Sequence, residues 1–299
     1  MPAFVTALER IRFFIFILSY PGIYCFLTFI DFTVLANSDM VTMYSFLSDQ
    51  TKLFTVLIVG FCSYFIARFI QNRRRQLRNH ERAALLRSRL QSDKQRLKEK
   101  LQVKSSDSKD ITRLKFDELW NQLQTRKLKP SEVLTAYQCK AISSTEKTNS
   151  IVGFVPTAET LASKLDASES TRPLHGIPVS VKDCFIITGT ESTAGHAPYI
   201  GEFINDPTSN IVQFLEWAGC IPFVKTNVPQ AMLTFDSENP VFGITLNPHN
   251  ILRGPGGSSS GEGSLIGDGG SILGVGNDVG GSLRIPVWLL YSFYNFYYL

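Results

Sequence analysis

The chain has 299 residues, 44% of them hydrophobic and 19% charged, with a net charge of +4. That length allows one large domain or two smaller ones with a sizeable core. The near balance of charge excludes a protein that binds nucleic acid over its whole surface. Five cysteines (Cys25, Cys62, Cys139, Cys184, Cys220) form no CxxC pair, and the four histidines have no ligand spacing. A disulfide framework is therefore excluded, and neither a metal nor a cofactor is implied.

Two apolar stretches come first in the chain, IRFFIFILSYPGIYCFLTFI (11–30) and LFTVLIVGFCSYFIARFI (53–70). A membrane-crossing helix needs about 20 largely apolar residues. Both approach that, although Pro21 and Gly22 interrupt the first. A cleaved signal peptide is the alternative for the first stretch, and a buried core helix for the second. Arg73, Arg74 and Arg75, directly after the second stretch, argue against core burial. Arg10 and Arg12 precede the first stretch, while Asp31, Asp39, Asp49 and Lys52 lie between the two. Positive loops stay cytoplasmic. Residues 1–70 are thus expected to form a membrane anchor of one or two transmembrane helices. The simplest arrangement is a hairpin with both ends cytosolic, and a single span at 53–70 is the second.

Residues 71–109 should form a basic juxtamembrane helix and linker. The stretch 71–104 has no Gly or Pro and many helix formers. Leu77, Ala84, Leu85, Leu90, Leu97 and Leu101 offer a thin apolar stripe. One reading is a solvated spacer. The other is a helix drawn to anionic lipid, each Lys or Arg near the surface contributing about 1 kcal/mol, most strongly at 73–78.

From residue 110 the pattern is that of an α/β protein. Lys129-Pro130-Ser131 opens a helix through Val133, Leu134, Tyr137 and Ala141. IVGFV (151–155), GIPVSVKDCF (176–185) and CIPFVKT (220–226) read as strands. TAETLASKLDAS (157–168) and TSNIVQFLEWAG (208–219) read as helices. Such alternation predicts a mixed or parallel sheet covered by helices.

Residues 254–283, GPGGSSSGEGSLIGDGGSILGVGNDVGGSL, are dense in glycine. Leu265, Ile266 and the run Ile272–Val275 make a disordered linker a poor reading. No lysine follows Lys225, so this is not a phosphate-binding P-loop. Gly257–Gly261 fits G-x-S-x-G, but no histidine follows His249, as a nucleophile elbow would require. A serine nucleophile here needs another base. Lys182 stands in the apolar strand PVSVK, where desolvation would lower its pKa. The alternative is an ordinary strand-end lysine reaching solvent.

GIPVSVKD, GPGGSSSGEGSLIGDGGS and GNDVGGSLRIP occur in that order, with TNVPQAMLTFDSEN (226–239) between the first and second. Together they resemble the amidase signature family, over roughly residues 110–286. With the apolar N-terminus, the chain looks most like the fatty acid amide hydrolase branch. The resemblance implies a partial amidase signature domain at 110–299. It implies Ser282 as the acyl-forming nucleophile, Lys182 as the base, and Ser258 as the proton relay, joined to Gly257 by a cis peptide. Ser258 alone could equally be a helix N-cap. Val279, Gly280, Gly281 and Ser282 would hold the substrate carbonyl through backbone N–H groups, and Met232 would line the substrate. Asp278 and Arg284 would brace the turn. Ser260 stands where the family usually has glycine.

The implied protein is a membrane-anchored serine amidase hydrolysing fatty acid amides through a Ser-Ser-Lys triad. It would sit on an endomembrane with its catalytic domain cytosolic. Its partners would be the amide substrate and membrane lipid, with a homodimer left open and no nucleic acid. Two other functions are weighed: an amidase for other linear amides, and an inactive membrane-anchored fragment. The last is motivated by VWLLYSFYNFYYL (287–299), which stands where the family continues with a long C-terminal half.

Overall fold

The computed structural model describes residues 49–102 and 108–290. The first apolar stretch, the loop as far as residue 48, and residues 291–299 of the aromatic tail lie outside them. The chain divides into two compact units, Met1–Phe69 and Ile70–Leu299.

Within the first unit the described residues are helical, the start of α1 (Asp49–Gln102). Leu53, Phe54, Leu57, Phe61, Phe65 and Phe69 are all exposed. Among the described residues, α1 is the one helix long and apolar enough to cross a membrane.

Within the second unit, the rest of α1 is more than a solvated spacer. Ala83, Leu86 and Leu90 share a small core with Val152, Ala197, Ile200, Val241 and Phe242. The positions i, i+3 and i+7 lie on one helix face. Arg82 donates to the Ile200 carbonyl, and Arg87 to the Val241 carbonyl at 2.6 Å. Lys98 and Lys100 pair with Glu146 and Glu159. The apolar stripe expected through Leu77, Ala84 and Leu85 is corrected: all three are exposed. Of that stripe, Leu90 and Leu101 are buried. The face that docks is set by the apolar groups it meets, and those come from distant parts of the chain.

A short α2 (Ser108–Ile111) and α3 (Phe116–Gln124) lead to α4 (Pro130–Thr148). Pro130 fits the first turn of α4, whose N–H groups lack helical partners, and the Glu132 carboxylate accepts the Lys129 N–H at 3.0 Å. Next come β1 (Ile151–Phe154), α5 (Ala158–Asp166), β2 (Pro178–Lys182), α6 (Asn210–Ala218) and β3 (Ile221–Thr226). After a long loop, α7 (Ser260–Gly267), β4 (Leu273–Val275) and α8 (Arg284–Leu290) close the described chain. The sheet order is β1-β3-β2-β4. β1 runs antiparallel to β3, while β2 is parallel to both β3 and β4. This is the mixed, helix-covered α/β sheet the sequence predicts. β2 and β3 are buried along their whole lengths, as expected of central strands covered on both faces.

Helix α7 has the sequence SGEGSLIG. Each interior glycine costs a helix about 1 kcal/mol relative to alanine, so packing must hold it. A Cβ on Gly261 would fall on the backbones of Asn227 and Ser150, and one on Gly263 would come within 2.6 Å of Leu290 on α8. Only glycine lets α7 approach its neighbours this closely.

Candidate active site

Residues alternate faces along a strand, so Ser180 and Lys182 share one face of β2, under α7. Lys182 is fully buried. Its ammonium nitrogen donates to Ser258 Oγ at 2.8 Å and to Asn277 Oδ1 at 2.6 Å. Burial lowers its pKa from the ordinary lysine value to about 8, against the opposing pull of the Glu262 and Asp278 carboxylates. At pH 7 about one lysine in ten is then neutral and able to accept a proton.

Ser258 follows Gly257 through a cis peptide bond and lies just before α7. The cap position of α7 falls on Ser259, not on Ser258. The Ser259 hydroxyl is buried and has no hydrogen-bond partner among the described residues. One turn beyond Ser258, the Glu262 carboxylate accepts from Ser180 Oγ at 2.5 Å and from Thr226 Oγ1 at 2.8 Å. Burial raises its pKa to about 7, opposed by those two hydrogen bonds and by Lys182. Glu262 thus ties α7 to β2 and β3 at the level of Lys182.

The Gly-Gly-Ser turn has a separate support. The Asp278 carboxylate accepts the N–H groups of Gly281 (2.6 Å), Leu283 (3.0 Å) and Arg284 (3.1 Å). It also accepts both Nε and Nη2 of Arg284. These bonds, the Arg284 side chain foremost, hold its acidity well above that of an ordinary carboxyl. Ser282 is half-buried. Its carbonyl accepts the Ser259 N–H at 3.0 Å, which joins the turn to the serine loop. Lys182 and Ser258 are therefore in direct contact, while Ser282 is joined through its backbone to Ser259, the residue after Ser258. No hydrogen bond of the Ser282 hydroxyl is found among the described residues. Gly281, expected among the carbonyl-binding donors, has its N–H taken by Asp278. No such partner engages the N–H groups of Val279, Gly280 and Ser282 among the described residues.

Met232 is half-buried with φ of 58°, next to Ala231 at 53°. It lies in the loop 227–239, which borders the site. Phe235 lies 3.8 Å from where a side chain on Gly281 would begin, and the Asp236 carbonyl closes on Gly257. Sequence reasoning missed Asn277 and Glu262. Glu262 carried a signal, a lone acid among small and apolar residues in SGEGSLIG. Asn277 carried none beyond its place in GNDVGGS.

A buried lysine, a serine loop at a helix start and a glycine-serine turn thus stand together on a mixed sheet. The family profile described as Amidase matches residues 132–288, and the chain belongs to that family. It is 43% identical over 176 residues to vitamin D3 hydroxylase-associated protein of Gallus gallus, covering 59% of this chain and 38% of that protein. It is 36% identical over 244 residues to fatty acid amide hydrolase 1 of Caenorhabditis elegans, covering 77% and 41%. A solved structure of a fatty acid amide hydrolase superposes with a TM-score of 0.58 at 33% identity, covering 61% of this chain and 33% of that one. The chain thus spans about two fifths of the length of these curated relatives.

Proposed function

We propose that this protein is a membrane-bound serine amidase that cleaves fatty acid amides through an acyl-enzyme on Ser282. The observation that carries it is the fully buried Lys182, 2.8 Å from Ser258 Oγ. Neutral Lys182 takes the hydroxyl proton of Ser258, and Ser258 takes that of Ser282. The Ser282 oxygen then bonds to the amide carbon, and the carbonyl electron pair moves onto its oxygen. The N–H groups of Val279, Gly280 and Ser282 can receive that oxyanion, where one donor contributes about 3 kcal/mol. Collapse breaks the C–N bond, and the amine leaves with the proton returned from Lys182 through Ser258. Water, deprotonated by the same relay, then bonds to the acyl carbon; the bond to Ser282 Oγ breaks, the relay returns the proton to Ser282, and the acid leaves. The base must be neutral, so the rate rises with pH through about 8. Met232, half-buried in the bordering loop, is assigned to the substrate.

The exposed apolar run at 53–70 favours a substrate that partitions into bilayers. Arg73, Arg74, Arg75 and Arg78 follow it and suit anionic headgroups. This reading places the second unit on the cytosolic side of an endomembrane. Protease digestion of sealed microsomes should cleave a tag after residue 104 and spare one near residue 40.

The functional test uses the full chain in nanodiscs. Release of acid from a long-chain acyl ethanolamide, lost in Ser282→Ala, is the expected result. Release from acetamide alone would assign a different linear amide. No release from either substrate would overturn the reading.

A further inference from the structure

We infer that Asn277 is a positioning residue for the base, fixing the direction in which Lys182 meets Ser258. The inference rests on Lys182 being that base. A neutral amine has two N–H groups and one lone pair, and a lysine head rotates freely unless something holds it. Asn277 Oδ1 lies 2.6 Å from Lys182 Nζ, and Ser258 Oγ lies 2.8 Å away. An N–H donated to Asn277 leaves the lone pair free to face Ser258. Once protonated, the ammonium can donate to both oxygens, so the same contact stabilises the proton in transit.

Asn277 also joins the two sides of the site. The next residue, Asp278, clamps the turn through Gly281, Leu283 and Arg284. One dipeptide between β4 and α8 therefore sets both the base and the nucleophile turn. The groups facing Lys182 come from every element packed around it. Cys184 follows β2, and its Sγ lies 3.8 Å from Asn277 Oδ1. Burial pushes that thiol up to about 11, so it stays neutral. Glu262 faces from α7 and Asp278 from the turn. Asp183, beside Lys182, is paired with Lys225 of β3 at 3.3 Å. Of these side chains, Asn277 and Ser258 are the two in hydrogen-bond contact with the amine.

The test reads the lysine directly. The full chain is prepared in nanodiscs with 13Cε-labelled lysine, and the Lys182 signal is assigned by its loss in Lys182→Met. Removing the acceptor in Asn277→Ala should make Lys182 titrate about one pH unit lower, and a carboxylate in Asn277→Asp about one pH unit higher. Asn277→Asp is isosteric and serves where the alanine variant fails to fold. Titration unmoved in the folded variants would overturn the proposal. In parallel, fluorophosphonate labelling of Ser282 at pH 9 should slow about 10-fold in Asn277→Ala, as orientation is lost. A lysine that moves as stated, with Ser282 unlabelled in every version, would keep the Lys182–Asn277 contact and refute the proposed reaction.

Discussion

Lys182 and Ser258 sit in the interior, their polar atoms paired, whereas Ser282 lies half-buried on a turn held by one carboxylate, Asp278. The proposed base side is assembled from β2, α7 and the loop before α8, with Glu262 bridging β2 and β3. The proposed nucleophile side is assembled from seven consecutive residues, 278–284, closed on themselves. A general base in this position needs desolvation, which only a core provides. A nucleophile needs access to substrate, which a core denies. The two sides therefore depend on different physics and should fail in different ways.

The largest effect is expected at Gly261, because the base side stands on core packing. In Gly261→Ala the new methyl meets the Asn227 and Ser150 backbones, which cannot yield as a side chain end would. Overpacking of that kind costs about 3 kcal/mol. Differential scanning fluorimetry should show unfolding roughly 6–12 °C lower, with fluorophosphonate labelling lost alongside. Unchanged unfolding would mean that α7 is not seated as described.

Asp278→Asn should separate rate from stability. It removes the charge that holds three N–H groups and Arg284 but keeps the side chain's shape. Ser282 labelling should fall roughly 10- to 100-fold through misplacement of the turn, while unfolding shifts less than in Gly261→Ala. A loss of stability as large as that of Gly261→Ala would erase the distinction between the two sides.

Glu262→Gln probes the base side by charge alone. The folded-state pKa of Glu262 is raised from 4.5 to about 7. A raised carboxyl contributes stability that is fully present below pH 4.5 and lost as pH rises through about 7. Glutamine stays neutral, so the variant and the parent should unfold alike near pH 4.5. Above pH 7 the variant should be the more stable, by up to about 3 kcal/mol. Curves that stay parallel across that window would remove the buried ionisation from the account.

The smallest effect lies outside the site. Arg87→Ala removes the bond to the Val241 carbonyl and should lower stability by about 1 kcal/mol. The rate of Ser282 labelling in the folded protein should not change.

Strands β2 and β3 were legible in the sequence because each is a continuous apolar run, and α6 because Ile211, Phe214, Leu215 and Ala218 recur at helical spacing, although its buried face is Val212, Leu215 and Ala218 and Phe214 is exposed. Lys182 stood out as a charge in such a run. Helix α7 was not legible, since glycine disfavours a helix and only its close contacts with Asn227, Ser150 and α8 explain it. The docking face of α1 was misplaced for a similar reason: Ala83 and Leu86 gain their meaning from Val241 and Phe242, far along the chain. Asn277 could not be read either, and Glu262 showed only as a lone acid in SGEGSLIG, without its partners. Their roles arise from how α7 and β4 register against β2, which no local pattern encodes.

The central claim is that Lys182 and Ser258 activate Ser282. It is tested most directly by mass spectrometry of the fluorophosphonate-treated chain. The account predicts an adduct on the peptide bearing Ser282, formed faster as pH rises through about 8, and absent in Lys182→Met below pH 8. An adduct on Ser259 instead, or one on Ser282 that forms equally well without Lys182, would contradict it.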